Sequence, residues 1–331
     1  MKEVTYGNRI PSIKNGTLAV DIGGTNTNFG IFHKKKLLLS LHFKSSEITN
    51  FNHIVKRVLK HIKEKYSITC IKAGVAAAGR LHKNNIELTN QKWNVKKKDL
   101  PFTKVRLMND FQAMAYGIDV LSKNKILLVK PGTADKGPRV ILGAGTGLGK
   151  SILLHNGKGY EPLPSEGGHG NFAPMNEDEF KLVKFLQKRL KREVIEWEDV
   201  LSGRGLTNIY LYLNSKKFKK TKHTQKIIAS GFHSLAICAG RNTDPQSKEV
   251  FKYFTRLYAR CARNFTLDVL ASGGVYIGGG IAANHYAIFR KLGFAKEFLT
   301  AHKMKDFLNK VPVYVIKDYN ISLYGAAASV E

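Results

Sequence analysis

The sequence predicts an α/β protein with two lobes, and three observations support this prediction. The chain has 331 residues and 43% hydrophobic content, which suggests two cores rather than one. Short apolar runs alternate with amphipathic segments of helical period, as in a mixed sheet covered by helices. A strand, a glycine-rich turn and a second strand occur twice, near Gly23 and near Gly145, which indicates a duplicated architecture.

We expect the smaller lobe to comprise residues 17–112 and to be completed by residues 312–331. Apolar runs predict five strands in its first part, at residues 18–22, 29–32, 37–43, 68–75 and 105–108. Apolar residues at helical spacing predict an amphipathic helix over residues 51–66. The completing segment is expected to supply a strand at 313–316 and a helix at 321–330.

We expect the larger lobe to span residues 113–311 and to carry most of the helices. Its elements follow from the same periodicities, with a helix opening the lobe at 111–121, a strand at 151–154, helices at 177–190 and 250–265, and a strand at 275–277. No low-complexity linker separates the two parts, so we expect them to pack across a hinge rather than hang on a tether.

Three glycine clusters carry the first chemical signal. They are DIGGT at residues 21–25, GAGTGLG at 143–149 and GGG at 278–280. None fits a Walker A loop or a Rossmann fingerprint, and each alone is compatible with a tight hairpin. Together, and with Thr25 and Thr146 adding hydroxyl donors, they favour a phosphate cradle. Asp21 is placed to hold a magnesium ion through water.

Two pairs of polar residues carry the second signal. Asn109 and Asp110 follow a predicted strand, where they suit either the cap of the next helix or a base facing a cleft. Glu166 and His169 flank two glycines, a turn that can present a carboxylate and an imidazole to a polyol. His169 can equally be a simple turn residue. A zinc site is disfavoured because no cysteine lies near it.

Charge and cysteine content bound the partners and the compartment. Lys and Arg number 54 against 25 Asp and Glu, a formal net charge of +29. The lysines form short clusters without the interleaved aromatics of a nucleic-acid module, which favours a solvated surface that also attracts anionic substrates. The three cysteines, Cys70, Cys238 and Cys261, are scattered, which fits a reducing cytosol. No run has the length of a signal peptide or a membrane span, so we expect a cytoplasmic protein without membrane contact.

Seven segments, in order along almost the whole chain, resemble the bacterial-type ATP-dependent glucokinases, the non-ROK branch of the sugar-kinase and actin superfamily. The segments resembling nucleotide motifs are VDIGGT (20–25), GAGTGLG (143–149) and IGGGI (277–281). Those resembling sugar-side and catalytic motifs are LTNQKW (88–93), MNDF (108–111), SEGGH with FAP (165–169 and 172–174) and EDVLSG (198–203). Single motifs of this kind are common, whereas seven in the right order are specific.

The resemblance implies a two-lobed, actin-like and ribonuclease-H-like sugar-kinase fold with a hinge and an interlobe cleft. It implies a homodimer that uses ATP and Mg²⁺ to convert glucose to glucose 6-phosphate, the first step of glycolysis. Asp110 would be the general base, and the residues holding the sugar would be Asn109, Asp110, Glu166, His169 and Glu198. The residues binding ATP, with magnesium near Asp21, would be Val20, Asp21, Ile22, Gly23, Gly24, Thr25, Gly145, Thr146, Gly278, Gly279 and Gly280.

The chain departs from the family pattern at few positions. Val20 stands where the family often has glycine, and Gly170 with Asn171 replaces a bulkier pair with an acidic second residue, so the pocket rim differs. The cysteine-rich zinc motif of ROK kinases is absent. Two alternatives stay open. One is a kinase for another hexose, such as mannose or an amino sugar. The other is a sugar-sensing regulator without turnover, although we expect no room for a DNA-binding domain before Asp21.

Overall fold

The computed structural model of the protein describes residues 1–7, 9–88, 91 and 93–331. Its strands over these residues are β1 (Lys2–Thr5), β2 (Ile13–Ile22), β3 (Asn26–His33), β4 (Lys36–Lys44), β5 (Ile68–Ala77), β6 (Gly79–His82), β7 (Asn85–Leu88), β8 (Val95–Lys96), β9 (Lys104–Asn109), β10 (Ile126–Lys130), β11 (Arg139–Ala144), β12 (Leu148–His155), β13 (Tyr160–Ser165), β14 (Gly274–Gly278) and β15 (Val313–Ile316). Its α-helices are α1 (Phe51–Tyr66), α2 (Asp110–Gly117), α3 (Glu177–Leu190), α4 (Gly203–Leu213), α5 (Lys222–Ala229), α6 (Ser234–Gly240), α7 (Pro245–Asp268), α8 (Gly279–His285), α9 (Ile288–Lys291), α10 (Phe294–Phe298), α11 (Lys305–Lys310) and α12 (Ile321–Ala328). None of these helices is long and apolar enough to cross a membrane.

Elements with a strong local pattern lie where the sequence places them. Helix α1 has its predicted bounds, because its apolar stripe is buried and the Asn50 side chain accepts a hydrogen bond from the His53 amide at its start. Strand β15 and helix α3 also have their predicted bounds, but β15 pairs with β10 and β14 and not with strands of the expected smaller lobe. Helix α7 is longer than predicted, since Asp244 caps it and Pro245 opens its first turn. Strand β1 has no counterpart among the predicted elements.

The chain divides into two compact units. Unit 1 comprises Met1–Lys125, Lys158–Pro164 and Asp318–Glu331, and unit 2 comprises Ile126–Gly157 and Ser165–Lys317. The sequence instead predicts a larger lobe that starts at residue 113 and ends at residue 311. Most of helix α2 therefore belongs to unit 1 and not to the predicted larger lobe, because it packs against α12 in unit 1.

Unit 1 is built on a six-stranded mixed sheet with the order β1-β4-β3-β2-β5-β9. Strands β1 to β4 pair antiparallel, whereas β2, β5 and β9 run parallel to one another. Strands β6, β7 and β8 form a separate small sheet. Helix α1 contributes Ile54, Val55 and Val58 to the main core of the unit. Because the ends of parallel strands meet at one edge, residues after β2, β5 and β9 are brought together.

Helix α12 packs with its backbone against the rest of unit 1. A Cβ atom added at Gly325 would lie 1.6 Å from the carbonyl oxygen of Ala113 in α2, and one added at Gly74 in β5 would lie 1.9 Å from that of Ala326. Both distances are far shorter than any van der Waals contact, so the helix can approach only because these positions are glycine.

Replacing Gly325 by alanine is expected to lower the free energy of unfolding by about 3 kcal/mol, because α12 must be displaced from α2. Chemical denaturation of the purified variant measures this loss. Gly159→Ala is the matched control, since a Cβ atom there meets nothing within 4 Å, and it should change stability by less than about 0.5 kcal/mol. Equal stability of the two variants would refute the close-packing argument.

Unit 2 contains strands in the order β10-β15-β14-β11-β12. Strands β11 and β12 form an antiparallel hairpin, and β14 lies parallel to β11 on its other side. Unit 1 has the same local arrangement, with the β2–β3 hairpin and β5 parallel to β2. The predicted strand–glycine turn–strand pattern is therefore present in each unit. Helix α7 crosses the large apolar core of unit 2, where Phe254 and Leu257 are fully buried.

Candidate active site

In unit 1, the strand register brings the predicted carboxylates to one edge of the sheet. Asp21 in β2 is paired with Ala76 of β5, and Ala77 of β5 is paired with Asn109 of β9. Asp110 comes directly after β9 and starts α2. Asp110 lies near enough to Asp21 for its negative charge to contribute to the raised pKa of Asp21. Asp21 and Asp110 are both partly exposed at this edge.

Asn109, rather than Asp110, is the cap of helix α2. Its side-chain oxygen accepts a hydrogen bond from the Phe111 amide at 2.8 Å, and the Gln112 side chain accepts one from the Asn109 amide at 3.1 Å. Asp110 Oδ1 also accepts from the Phe111 amide, at 3.0 Å. The pair therefore closes the helix start while the Asp110 carboxylate stays at the carboxyl end of β9.

The Asp21 carboxyl group has a shifted protonation equilibrium. Burial, reinforced by the negative charge of Asp110, raises the pKa of Asp21 to about 7, while a hydrogen bond from Asn28 acts in the opposite direction. Two carboxylates at one edge repel each other unless a cation or a proton lies with them. Across the described residues, no group of three or more His, Cys, Asp and Glu side chains is arranged to hold a metal ion.

The first glycine turn is closed by its own backbone. The Gly23 amide donates to the Asn26 carbonyl at 2.9 Å, so that amide is used within the turn, while Gly24 and Thr25 are exposed. The Gln91 side chain donates to the Gly24 carbonyl at 3.3 Å. The amide groups that this turn offers to an anion are therefore those after Gly23.

The second glycine turn, in unit 2, is built in the same way. The Gly145 amide donates to the Gly147 carbonyl at 2.8 Å, and Thr146 between them is exposed. The buried Tyr258 hydroxyl accepts from the Ala144 amide at 3.1 Å and donates to the Leu142 carbonyl at 3.3 Å, which fixes the end of β11. The turn thus projects from a strand that the helical core holds in place.

The Glu166–His169 turn packs closely on the strand that follows the second glycine turn. A Cβ atom at Gly168 would lie 1.9 Å from the Leu148 carbonyl oxygen, which explains the glycine there. His169 Nδ1 lies 2.9 Å from Glu196 Oε2, and its Nε2 lies 3.9 Å from Glu166 Oε2. The hydrogen bond with Glu196 raises the pKa of His169. The Glu166 side chain is 86% exposed.

Glu198 is bonded directly to the second glycine turn. Its Oε2 accepts from the Leu148 amide at 2.9 Å, and its Oε1 accepts from the Arg204 guanidinium. A Cβ atom at Gly147 would lie 2.4 Å from Glu198 Oε2, so this glycine makes room for the carboxylate. A predicted sugar-binding carboxylate and a predicted phosphate turn are therefore in direct contact within unit 2.

The remaining predicted residues fall into three groups. The Val20 and Ile22 side chains are buried in the core of unit 1. Gly278 ends β14 in register with Gly143, and the two glycines after it open α8 beside the second glycine turn: Gly279 and Gly280. In the predicted sugar-side segment 88–93, three residues lie outside the described part of the chain: Thr89, Asn90 and Lys92.

Two further residues of unit 2 that contact predicted site residues have no prediction from the sequence. Glu196 binds His169 from 27 residues further along the chain, and Arg204 binds Glu198. The segment before Glu198 is held against the His169 turn by backbone hydrogen bonds, such as that from the Trp197 amide to the Gly170 carbonyl at 2.9 Å. Glu196 stands two residues before a predicted site residue, which is the only sequence signal that pointed to it.

Comparison with known proteins identifies the family. The glucokinase family profile matches residues 18–331. A glucokinase from Nostoc punctiforme is 32% identical over 332 residues, which cover 94% of this chain and 97% of that protein. The crystal structure of a glucokinase from an Antarctic psychrotroph is 26% identical, covers 96% of this chain and 98% of its own, and has a TM-score of 0.79.

A ROK glucokinase from Streptomyces griseus, solved with glucose and AMPPNP, shares the fold at 18% identity. Its TM-score is 0.66, over 96% of this chain and 99% of its own. These neighbours confirm the predicted two-lobed, actin-like sugar-kinase fold. With a family match over nearly the whole length and a relative above 30% identity, the chain belongs to the glucokinase family of sugar kinases.

Proposed function

We propose that the protein transfers the γ-phosphoryl group of ATP to the 6-hydroxyl of glucose, giving glucose 6-phosphate and ADP. The observation that carries this proposal is the Asp110 carboxylate at the end of β9, beside Asp21, in a chain of the glucokinase family. The 6-oxygen bonds to the γ-phosphorus as the bond to the β,γ-bridging oxygen breaks. The hydroxyl proton passes to Asp110, and ADP leaves with the bridging oxygen.

The sugar is held, in this proposal, by side chains that offer both donors and acceptors. They are Asn109, Asp110, Glu166, His169 and Glu198. Each hydroxyl of a hexose is a donor and an acceptor, so several oriented hydrogen bonds distinguish one epimer from another. An analogue lacking a hydroxyl would leave one of these polar groups without a partner, which costs affinity.

The nucleotide is held by the two glycine turns and the GGG segment. Gly24 and Thr146 are exposed at the turns, where backbone amides and the Thr25 hydroxyl can donate hydrogen bonds to phosphate oxygens. Asp21 is a single carboxylate, which suits Mg²⁺ because this ion keeps several waters and takes its other ligands from phosphates. Bound magnesium would neutralise charge on the transferring phosphoryl group. The Streptomyces griseus relative carries AMPPNP, an ATP analogue, which supports ATP as the donor.

From the family resemblance, the proposal also includes the oligomeric state, the compartment and the pathway. The protein would be a homodimer in the cytoplasm that performs the first step of glycolysis. The high positive charge of the chain fits anionic substrates and needs no nucleic-acid partner.

The test is ATP-dependent phosphorylation of a panel of hexoses with magnesium, with the sugar phosphate measured directly. Strong turnover of glucose supports the proposal. A preference for mannose or an amino sugar would identify that sugar, rather than glucose, as the substrate. Binding of glucose without turnover of any hexose would support the sugar-sensing alternative.

Replacing Glu196 by glutamine is expected to raise KM for glucose several-fold with little change in kcat. The amide is uncharged and binds His169 less strongly, so the imidazole is held less firmly toward the sugar. Initial rates at varied glucose measure both constants. Glu193→Gln is the control, because this exposed residue lies in the same segment and undergoes the same chemical change. An unchanged KM in Glu196→Gln would remove Glu196 from sugar binding.

A further inference from the structure

Six polar side chains form a continuous line of hydrogen bonds through unit 1, and we call this line the Asp21 network. Its members, in spatial order, are Asn320, Tyr6, Ser40, His42, Asn28 and Asp21. Asn320 Nδ2 lies 3.2 Å from the Tyr6 hydroxyl, and that hydroxyl lies 3.2 Å from Ser40 Oγ. Ser40 Oγ in turn lies 2.8 Å from His42 Nε2.

The second half of the network ends at the candidate active site. His42 Nδ1 lies 2.8 Å from Asn28 Oδ1. Asn28 in β3 is the direct cross-strand partner of Asp21 in β2, and its side chain forms the hydrogen bond that lowers the pKa of Asp21 against the effect of burial. The network therefore reaches the Asp21 carboxylate from β3, which flanks β2 on one side, while β5 and β9 lie on the other side of β2.

The direction of every hydrogen in the network follows from its two amides. The Asn320 amide nitrogen can only donate, so the Tyr6 oxygen accepts from it, and the Tyr6 hydroxyl donates to Ser40 because the Ser40 hydrogen is directed to His42. The Ser40 hydrogen then goes to His42 Nε2, and His42 carries its proton on Nδ1. Because Asn28 Oδ1 can only accept, it accepts a hydrogen bond from the His42 Nδ1–H group, and the Asn28 amide nitrogen is turned toward Asp21.

The surroundings keep this arrangement in a single form. Ser40 is 0% exposed and Asn28 is 4% exposed, so water does not replace a lost partner at either position. Burial, and next the charge of Lys2, lowers the pKa of His42, so the imidazole is neutral and carries the one proton that the network requires. Hydrogen bonds that all point in one direction polarise each other and strengthen the last of them.

We propose that Asn28, His42, Ser40 and Tyr6 are positioning residues that orient the Asp21 carboxylate for Mg-ATP. The proposal rests on the proposed function only in assigning Asp21 to the nucleotide side. Asp110 repels Asp21 from the end of β9, across the intervening strand β5, and the Asn28 amide, fixed by the network, gives Asp21 a donor that holds it in one orientation. Strand β1, which precedes Tyr6, and the residue before α12, Asn320, are thereby connected to the site.

The test removes single atoms from the network. Ser40→Ala and Tyr6→Phe each delete one hydroxyl, and we expect each to weaken Mg-ATP binding about fivefold to tenfold, the loss expected for one buried hydrogen bond. Kinetics should show a raised KM for ATP and a lowered kcat with KM for glucose unchanged. His42→Asn, which keeps a donor near the Nδ1 position, should retain more affinity than His42→Phe.

The matched control is Tyr66→Phe. Its hydroxyl donates to Glu3 and so also ties strand β1 to the rest of unit 1, but outside the Asp21 network. Thermal unfolding of all variants shows whether a loss of stability accompanies the change. Isothermal calorimetry with Mg-ATP gives a readout that does not depend on turnover.

Two results would overturn the proposal. In the first, Ser40→Ala and Tyr6→Phe have the same Mg-ATP affinity and the same kinetic constants as Tyr66→Phe. The network would then have only a structural role. The other is a wild-type protein that binds no Mg-ATP. A wild-type protein that binds Mg-ATP more tightly than Ser40→Ala but phosphorylates no hexose would support the network and contradict the proposed function.

Discussion

Replacing Asp110 by asparagine is expected to lower kcat for glucose phosphorylation by about a hundredfold or more. The amide is the same size and can still accept the hydrogen bond from the Phe111 amide, and Asn109 still caps α2. The substituted group cannot, however, take the proton of the attacking hydroxyl. The loss should therefore be in kcat, with a small change in KM for glucose, and steady-state kinetics at saturating ATP measure it.

Asp119→Asn is the matched control for this experiment. It makes the same chemical change in the same unit, on an exposed side chain just after α2. Its kcat should stay within about twofold of the wild-type value. A kcat in Asp110→Asn close to that of the control would remove Asp110 as the base.

Replacing Asp21 by asparagine is expected to abolish most of the activity while making the protein more stable at neutral pH. Folding raises the pKa of this carboxyl from 3.8 to about 7. A raised carboxyl pKa favours the folded state only while the group is protonated, so wild-type stability falls as pH rises from about 4 to about 7. The asparagine side chain avoids this cost, which at full effect is on the order of 4 kcal/mol.

The pH dependence separates this effect from ordinary changes in packing. The gain in melting temperature of Asp21→Asn should be small near pH 4, grow up to about pH 7 and stay constant above it. Thermal unfolding at several pH values checks this, and a gain that does not depend on pH would contradict the raised pKa. A protein that keeps a destabilising carboxylate in place of an amide does so for its chemistry.

The elements predicted from sequence are those whose signal is local. Helix α1 and the two glycine hairpins depend on residues that are close in the chain, so periodicity and turn chemistry were enough to place them. The interpretation of Asn109 and Asp110 as both a cap and a site edge also came from a local pattern, and the cap part is confirmed for Asn109.

The features that were missed depend on contacts between distant parts of the chain. His169 and Glu196 are 27 residues apart, and Asn320 and Tyr6 are 314 residues apart. No periodicity links such pairs, because the fold alone brings them within hydrogen-bond distance. Residues 113–125 fall in unit 1 and not in the predicted larger lobe for the same reason, since the packing partner of α2, helix α12, lies some 200 residues later.

Residues 318–331 belong to unit 1 but follow unit 2 in the chain, and this determines which unit can finish folding first during synthesis on the ribosome. The whole of unit 2 is synthesised before Asn320 and α12 emerge. Until then the nascent unit 1 lacks the helix that packs on α2 and the first donor of the Asp21 network. Unit 2 can therefore close its core while unit 1 is still open, although most of unit 1 is made first. Helix α2, which starts at Asp110, therefore gains its packing partner only when α12 docks.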